Sequence, residues 1–389
     1  MNENEIKAVA VTHPTRGGQR FDEIILIVPR GKDITCSDIS EIAVKDRNII
    51  KKEYYEDTIE IMLSADDEGA KELRENPATA RKPEVGAPFN PAMIMPLTEY
   101  VKPQAQVLFT MNGKRLTVET SEVRECIVDD FKSEHAYRLM YNLFSPKERK
   151  ENERFPLVIF IPDASVNQND PRLSLLHGEG ATGFAYPRVQ DINPSFILAF
   201  QIPPRIAFVS DDFTCAEEFD DLKKIIDDVC RENPIDVNRI YILGGSQGCM
   251  SACELNCRYP DFFAASVLAG GQWDSEKMGK CCPGCNFWIF VSDGDVKAYP
   301  GMNAVTSALS KGGAKVRTYY LNARDSKEKK EEAVRLIAES DANVKFTVFS
   351  DHSVVPANAP DTGGTNHMNT WPEVYSYDEL KLWLFRQHK

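Results

Sequence analysis

A short glycine-rich turn constrains this chain more than any other feature. Gly244–Gly248 (GGSQG) follows the apolar run Arg239–Leu243 and precedes a segment with cysteines at every fourth position, Cys249–Cys257. The run predicts a strand and the spacing predicts a helix with one buried cysteine face. A serine at such a strand-to-helix turn is held in strained backbone with its hydroxyl exposed, and the helix behind it directs N–H groups at negative charge. The turn therefore predicts a nucleophile at Ser246.

From residue 127 onward, predicted strands and helices alternate, which is typical of an α/β fold with a mainly parallel sheet covered on both faces. The strands are predicted at Phe155–Pro162, Phe196–Pro203, Arg239–Leu243, Ala264–Ala269, Phe287–Val291, Val316–Leu321 and Val344–Phe349. Further helices are predicted from a capping box at Thr214 to Glu232, near Met302–Leu309, over Ser326–Glu339 and near Tyr377–Gln387.

The first part of the chain is different, because short β-rich runs alternate there with turn-forming residues. The pair Asn112-Gly113 between two runs predicts a hairpin. We therefore predict a small β-sandwich over residues 1–126 and the α/β domain over 127–389. Prolines between residues 77 and 103 exclude a helix or a central strand and predict a long loop inside or beside the sandwich. The runs are Ile6–Thr12, Phe21–Val28, Ile42–Val44, Thr58–Leu63, Gln106–Met111 and Arg115–Thr120, and the prolines are Pro77, Pro83, Pro88, Pro91, Pro96 and Pro103.

Charge and composition exclude several partners. A net charge of -13 argues against nucleic acid and anionic membrane, both of which need a basic face. No stretch approaches the about 18 apolar residues of a membrane span. Cys282-Pro-Gly-Cys285 resembles half a zinc site, but no second pair accompanies it, so we expect no metal and interpret the turn as free thiols or a local disulfide. The sequence is compatible with a homo-oligomer and does not fix the cellular compartment.

A serine nucleophile needs a base, and three histidines follow Ser246 in the chain. His388 is the penultimate residue, and His352 follows a predicted strand by a few residues. His367 lies in a polar, glycine-rich stretch that we interpret as a loop before the last helix. Because loops of this kind often hold catalytic residues, we favour His367.

The histidine in turn needs an acid that fixes its tautomer. Asp293 and Asp295 both follow the predicted strand Phe287–Val291. Either one can be a turn-forming residue instead, and position alone does not separate them.

An oxyanion hole needs two backbone N–H groups. We expect one from Gln247 and the other from the loop after Phe155–Pro162, that is from Asp163, Ala164 or Ser165. The run His177–Gly180 is also rich in glycine but follows no strand, so we interpret it as a surface loop.

The part from residue 127 resembles bacterial esterases related to polyhydroxybutyrate depolymerases and prolyl-oligopeptidase-like hydrolases. This resemblance implies an α/β-hydrolase fold, an immunoglobulin-like domain before it, Asp295 as the acid and His367 as the base. Two departures stand out: the family's Ser-Met-Gly-Gly is Ser246-Gln-Gly-Cys here, and its oxyanion-loop His-Gly is Pro162-Asp. The stretches that carry the resemblance are Tyr137–Leu143, Phe155–Phe160, Ile235–Tyr241, Tyr259–Ala265, Val291–Asp295 and Asn366–Trp371.

These inferences lead to one expected function and two alternatives. We expect a serine carboxylesterase that acts on small acyl or aromatic esters, including esters on plant polysaccharide, and that needs no cofactor. We expect the oxyanion amides from Gln247 and from Ala164 or Asp163, and substrate contacts from Trp273 and Trp371. A serine peptidase of the same fold, or a non-catalytic binding protein on a hydrolase scaffold, stays open.

Overall fold

The structure, a computed structural model, describes residues 6–29, 35–82, 91–147, 152–166 and 168–389. The chain forms two compact units. The smaller contains Met1–Glu75 and Glu99–Asp130, and the larger contains Asn76–Thr98 and Phe131–Lys389. This division differs from the predicted boundary at residue 126 mainly in Asn76–Thr98, which groups with the larger unit.

Strands dominate the smaller unit. Seven strands of this unit form one sheet in the order β3-β8-β9-β1-β2-β5-β4, and a separate two-stranded sheet is formed by β6 and β7. The strands are β1 (Lys7–Thr15), β2 (Gly18–Ile27), β3 (Ile39–Val44), β4 (Ile49–Tyr54), β5 (Thr58–Leu63), β6 (Leu73–Asn76), β7 (Leu97–Tyr100), β8 (Gln106–Met111) and β9 (Lys114–Glu125). The long β9 pairs with β8 through its first half and with β1 through its second. The immunoglobulin-like assignment stays a prediction.

The predicted hairpin between β8 and β9 is confirmed. Met111 pairs with Lys114, and Asn112 and Gly113 both lie at positive φ, 52° and 73°. Two successive residues in the left-handed region define the tight turn whose twist matches paired strands. Glycine and asparagine reach that region at the lowest cost.

The proline-containing segment forms a short helix that the sequence analysis excluded. The helix α1 (Pro91–Ile94) begins at a proline, which is tolerated there because the first N–H of a helix has no intrahelical partner. The Arg205 guanidinium donates hydrogen bonds to carbonyls of this segment, at 3.2 Å to Met93 and 2.8 Å to Met95. The exclusion of a helix is therefore wrong at Pro91–Ile94, while residues 80–82 and 101–103 have no regular secondary structure, as predicted. Pro83 and Pro88 lie outside the described residues.

The larger unit is built on a nine-stranded sheet in the order β10-β11-β13-β12-β14-β15-β16-β18-β17. Its strands are β10 (Lys132–Ala136), β11 (Leu139–Phe144), β12 (Phe155–Ile161), β13 (Phe196–Gln201), β14 (Ile235–Gly245), β15 (Ala265–Ala269), β16 (Phe287–Ser292), β17 (Val316–Leu321) and β18 (Val344–Phe349). From β13 to β17 in this order, every neighbouring pair of strands is parallel. The pairs β10–β11 and β11–β13 are antiparallel. The predicted parallel sheet is confirmed.

The central strands are covered on both faces. Every residue of β12, β13, β15, β16 and β18 is buried. Burial of both faces explains why these segments read as continuous apolar runs rather than alternating ones. The helices of this unit after α1 are α2 (Leu173–Leu176), α3 (Glu179–Ala185), α4 (Pro187–Gln190), α5 (Phe219–Glu232), α6 (Gln247–Arg258), α7 (Ser275–Cys281), α8 (Ala298–Lys311), α9 (Lys327–Ala338), α10 (Gly363–Tyr375) and α11 (Asp378–Phe385).

Helix α5 begins later than predicted. The Thr214 hydroxyl donates a hydrogen bond to the Asp212 carboxylate at 2.7 Å, and Cys215 forms a β-bridge with Val209. The chain therefore turns back on itself where the capping box was expected, and the helix starts at Phe219. Its buried apolar residues are Phe219, Leu222, Ile225, Ile226 and Val229.

Among the described residues, none of the helices combines the length and the hydrophobicity that crossing a lipid bilayer demands.

The hairpin geometry predicts an effect of Gly113→Ala. A Cβ at residue 113 meets no atom within 4 Å, so the cost comes only from the positive φ. We expect a loss of about 1 kcal/mol in the free energy of unfolding, measured by urea titration. Gly284→Ala is the matched control, because its Cβ is equally unobstructed and its φ is outside the left-handed region. Equal losses in both variants would contradict the assignment of strain to this turn.

Candidate active site

Ser246 occupies a strained turn between β14 and α6. Its φ is 51° and its ψ is −117°, a combination that residues with a Cβ rarely adopt. The N–H of Ser246 donates to the carbonyl of Ala269 at 2.9 Å, which holds the turn against the end of β15. Strain of this kind costs about 1–3 kcal/mol and persists where the surrounding structure fixes it. The predicted strand, serine turn and helix are all present.

The glycine at residue 248 is required by close backbone packing. A Cβ there would lie 1.9 Å from the carbonyl oxygen of Ile161, the last residue of β12. The first turn of α6 is thereby pressed against the start of the loop after β12. Because of this close packing, the turn Gly244–Gly248 lies next to the loop after β12, which was predicted to contribute to the oxyanion hole.

Three residues distant in sequence form one hydrogen-bonded chain. The Ser246 Oγ lies 2.9 Å from His367 Nε2, and His367 Nδ1 lies 2.6 Å from Asp295 Oδ2. Asp295 follows β16 and is buried, while His367 is partly exposed. The residues favoured from the sequence as nucleophile, base and acid are therefore brought together.

The second carboxylate oxygen of Asp295 is held by backbone. Its Oδ1 accepts the N–H groups of Lys297 at 3.0 Å and of Ala298 at 2.9 Å. Burial raises the pKa of Asp295, but the hydrogen bond and charge of His367, together with these amides, outweigh burial and hold the pKa below its ordinary value. Asp295 therefore remains a carboxylate, and its Oδ2 lies within hydrogen-bonding distance of the His367 imidazole.

Asp293, the alternative acid, has a different role. Its carboxylate accepts the N–H groups of Asp351 at 2.8 Å and of His352 at 3.0 Å, and so fixes the turn after β18. The His352 ring is exposed and pairs with Asp361 at 2.7 Å rather than with Ser246. The structure separates the two aspartates that position in the sequence left equivalent.

His367 lies in helix α10, which corrects the prediction of a loop. Thr362 caps this helix: its hydroxyl accepts the N–H of Thr365 at 3.1 Å, and the Thr365 side chain returns to the Thr362 N–H. A threonine pair can form this reciprocal cap although the usual pattern ends in Glu or Gln. A helix fixes the direction of the imidazole more firmly than a loop does.

Asn366 is a buried support that the sequence analysis missed. Its Oδ1 accepts the Ser292 hydroxyl at 2.7 Å, and its Nδ2 donates to Asp361 at 2.8 Å. It thereby ties the start of α10, which carries His367, to the end of β16, three residues before Asp295. Its position directly before His367 was the only signal in the sequence.

The predicted substrate contacts of the two tryptophans are corrected by their burial. Trp273 is 2% exposed and donates to the Glu254 carboxylate at 3.1 Å, and Trp371 is 3% exposed. The Trp371 ring packs edge-on against His367, with ring centroids 5.0 Å apart. Trp371 fills the space behind the serine turn, because Gly245 has no side chain there: a Cβ at Gly245 would lie 2.5 Å from the Trp371 ring.

The loop after β12 is folded around the carboxylate of Asp163. One carboxylate oxygen accepts both the N–H and the hydroxyl of Ser165, at 2.8 and 2.6 Å, and the other lies 3.4 Å from His177 Nδ1. The charge is thus directed at Ser165 and His177, and the Ser165 amide is already occupied. Thr98 also donates to the carbonyl of Ser165 at 2.9 Å. Of the three candidate residues in this loop, Ala164 is the one that lines the cavity at Ser246.

The interpretation of His177–Gly180 as a surface loop is wrong. His177 Nε2 lies 3.1 Å from the Ser165 hydroxyl, and Gly180 begins a buried stretch of α3. A Cβ at Gly180 would lie 2.2 Å from the ring of Phe160, so the glycine permits α3 to pack against β12.

A cavity of about 90 Å³ opens beside the serine. Its buried part contains Val209, Gln247 and Met250, and its mouth contains the ion pair between Lys297 and Asp211. The complete lining consists of Ala164, Val209, Ser210, Asp211, Ser246, Gln247, Met250, Gln272, Lys297 and His367.

The cysteines are free thiols, including Cys282 and Cys285 of the C-x-x-C turn. Cys282 Sγ lies 3.7 Å from Cys257 Sγ at the end of α6, in the hydrophobic core. Within the described ranges no cluster of three or more His, Cys, Asp or Glu side chains is arranged to hold a metal ion.

Comparison with known proteins supports the fold. No family model matches the chain, and no curated protein matches it. Among solved structures, a thermostable esterase is similar over 98% of this chain and 100% of its own, with 20% identity and a TM-score of 0.76. The larger unit accordingly has the α/β-hydrolase fold.

Two further solved structures are less similar. A feruloyl esterase module from Clostridium thermocellum is 12% identical, with a TM-score of 0.40 over 66% of this chain and 87% of its own. Dipeptidyl peptidase 4 of Porphyromonas gingivalis is 13% identical, with a TM-score of 0.44 over 76% of this chain and 40% of its own.

The packing at Gly248 predicts a severe effect of Gly248→Ala. The new Cβ would collide with the Ile161 carbonyl, which is backbone and cannot rotate away. We expect a loss of more than about 4 kcal/mol of stability, seen as a large drop in melting temperature or failure to fold. Gly364→Ala, also in the first turn of a helix but with only a 3.7 Å contact, is expected to be neutral or slightly stabilising. A wild-type melting temperature for Gly248→Ala would refute the close-packing argument.

Proposed function

We propose that this chain is a serine-dependent carboxylic-ester hydrolase. The observation that carries the proposal is the hydrogen-bonded chain from Ser246 through His367 to Asp295, which ends at a cavity beside the serine hydroxyl. A serine hydroxyl is a weak nucleophile unless a base removes its proton as it attacks. The three side chains have the geometry that this proton transfer requires.

In the proposed acylation, the Ser246 Oγ attacks the ester carbonyl carbon while His367 Nε2 takes the hydroxyl proton. Asp295 stabilises the imidazolium and holds its Nδ1–H. The negative charge that develops on the carbonyl oxygen is held by the backbone N–H groups of Gln247 and Ala164, and the dipole of α6 adds to their field. His367 then donates its proton to the leaving alcohol, and an acyl-enzyme remains.

Deacylation repeats these steps with water as the nucleophile. His367 takes a proton from water, the hydroxide attacks the acyl carbon, and the proton returns to Ser246 Oγ as the acid leaves. The residues of this chain provide every proton transfer, which is why we propose a mechanism that needs no cofactor.

The size of the cavity bears on the substrate class. A volume of about 90 Å³ accommodates a short acyl group and favours it over an aromatic one. The alcohol portion is expected to extend past the partly exposed Lys297 and Asp211 into solvent. Short acyl esters of polar alcohols therefore fit the site best, among the classes that the sequence resemblance implies.

The proposal predicts covalent labelling at one residue. A fluorophosphonate probe is expected to label the wild-type chain at Ser246, located by peptide mass spectrometry. Ser246→Ala is expected to remove labelling, and His367→Ala to slow it by at least about 10³-fold, because the serine loses its base. The wild-type chain should hydrolyse nitrophenyl acetate faster than an aminoacyl nitroanilide. An unlabelled wild-type protein would refute the proposal.

The same substitution, Asp to Asn, is expected to affect kcat differently at Asp295 and at Asp293. Asp295→Asn is expected to lower kcat for nitrophenyl acetate by about 10³- to 10⁴-fold, because Asn no longer selects the His367 tautomer. Because the pKa of Asp295 lies below its ordinary value, the wild-type group is charged from about pH 5 to about pH 9, and the loss should be similar across that range.

Asp293→Asn is the control for this comparison, since an Asn side chain can still accept one of the two N–H groups that Asp293 binds. We expect kcat to change by less than about threefold. A larger loss in Asp293→Asn than in Asp295→Asn would reverse the assignment of the acid.

A further inference from the structure

The side chain of Gln247 has an unmet hydrogen-bonding requirement. The residue is 4% exposed, and its amide Nε2 is buried without a hydrogen-bond partner among the described residues. Gln247 follows the proposed nucleophile and lines the same cavity. Buried polar groups in folded proteins are nearly always paired, and an unpaired one is unfavourable. A polar atom of a bound molecule can supply the missing partner.

The arrangement of the site indicates which part of an ester meets Gln247. His367 has to protonate the leaving oxygen, so the alcohol portion lies on the His367 side of the cavity. Lys297 is on that side too, because its backbone N–H binds the same Asp295 that binds His367, and it lies at the exposed mouth. The acyl portion then points toward the buried part of the cavity, where Gln247 stands with Met250.

Apart from Gln247, the buried residues that line the cavity are apolar. Val209 and Met250 offer no strong donor or acceptor, so Gln247 is the polar side chain of the buried lining. A hydroxyl group suits this environment, because it donates and accepts and can therefore pair with either orientation of the amide. The volume of about 90 Å³ limits the group that carries it to a short one.

We propose that Gln247 is a specificity-determining residue that selects short acyl groups bearing a hydroxyl next to the carbonyl, as in glycolyl esters. This inference rests on the proposed ester hydrolysis and specifies its substrate class. The backbone N–H of Gln247 donates a hydrogen bond to the oxyanion of any ester. Its side-chain amide forms a hydrogen bond only with an acyl group that carries a hydroxyl. An unsubstituted acyl group leaves the amide unpaired in the transition state.

Two esters that differ by one oxygen atom test the inference. Ethyl glycolate and ethyl acetate are hydrolysed by the full chain in a pH-stat, and each kcat/KM is divided by the rate constant of alkaline hydrolysis to remove intrinsic reactivity. We expect the normalised wild-type ratio to favour glycolate by about tenfold, the size expected for one hydrogen bond between uncharged groups.

The variant Gln247→Met keeps the backbone N–H and the length of the side chain but removes the amide. We expect its normalised ratio to fall to about one. The ratio of two substrates cancels any general change in rate, including one that acts through the oxyanion amide. Met250→Leu is the matched control, since it changes the same buried lining without altering hydrogen bonding, and its ratio is expected to stay at the wild-type value.

Melting temperature provides a second measurement. Replacing an unpaired buried amide by an apolar side chain is expected to raise the melting temperature of Gln247→Met while glycolate selectivity is lost. A purely structural role of the amide would instead lower the melting temperature and leave the ratio unchanged.

The possible outcomes separate the two proposals. Hydrolysis of ethyl acetate with a normalised ratio near one, or a ratio that Gln247→Met does not change, would overturn the role of Gln247 and leave the ester hydrolase intact. Failure of the wild-type chain to hydrolyse either ester would overturn the proposed function, and the inference about Gln247 with it.

Discussion

The contact between Gly248 and the Ile161 carbonyl is the constraint on which the site depends. It brings the first turn of α6 against the end of β12, so that the serine turn and the loop at Ala164 face the same cavity. A side chain at residue 248 would push these two backbone segments apart. Ser246 and the backbone N–H of Ala164 can therefore lie close together only because residue 248 is a glycine and has no Cβ.

Polar contacts hold the remaining parts in place around this packing. Asp163 fixes the loop from inside through Ser165 and His177, and Asn366 joins the start of α10 to Ser292. Each of these groups is at least partly buried, and each is paired. Paired groups in a low-dielectric surrounding hold their geometry tightly, which suits a site whose reacting atoms must stay within hydrogen-bonding distance.

The sequence predicted the parts of this molecule that follow from local pattern and chain order. Apolar runs such as Phe155–Pro162 marked the buried strands, and the glycines around Ser246 marked the turn. Asp293 and Asp295 could not be separated by position, because the difference lies in which backbone amides each carboxylate meets after folding. The edge strand β4 was missed since its residues are largely exposed and charged.

Other errors arose where tertiary context overrides a local signal. His367 was assigned to a loop from its glycine-rich surroundings, yet a threonine pair caps a helix there. Trp273 and Trp371 were expected to contact substrate, but both are buried, and glycines beside Trp371 leave room for its ring. Nothing in the sequence distinguishes a tryptophan that faces a cavity from one that fills the space behind it.

The course of the chain through Asn76–Thr98 has a practical consequence for dissecting this protein. Thr98 donates to the carbonyl of Ser165, and Arg205 donates to the carbonyls of Met93 in α1 and Met95 just after it. Residues encoded before the predicted boundary therefore complete the larger unit. A gene fragment that starts at residue 127 would lack the segment Asn76–Thr98 and would leave the Arg205 guanidinium without these carbonyl partners. The larger unit is contiguous in space but not along the gene.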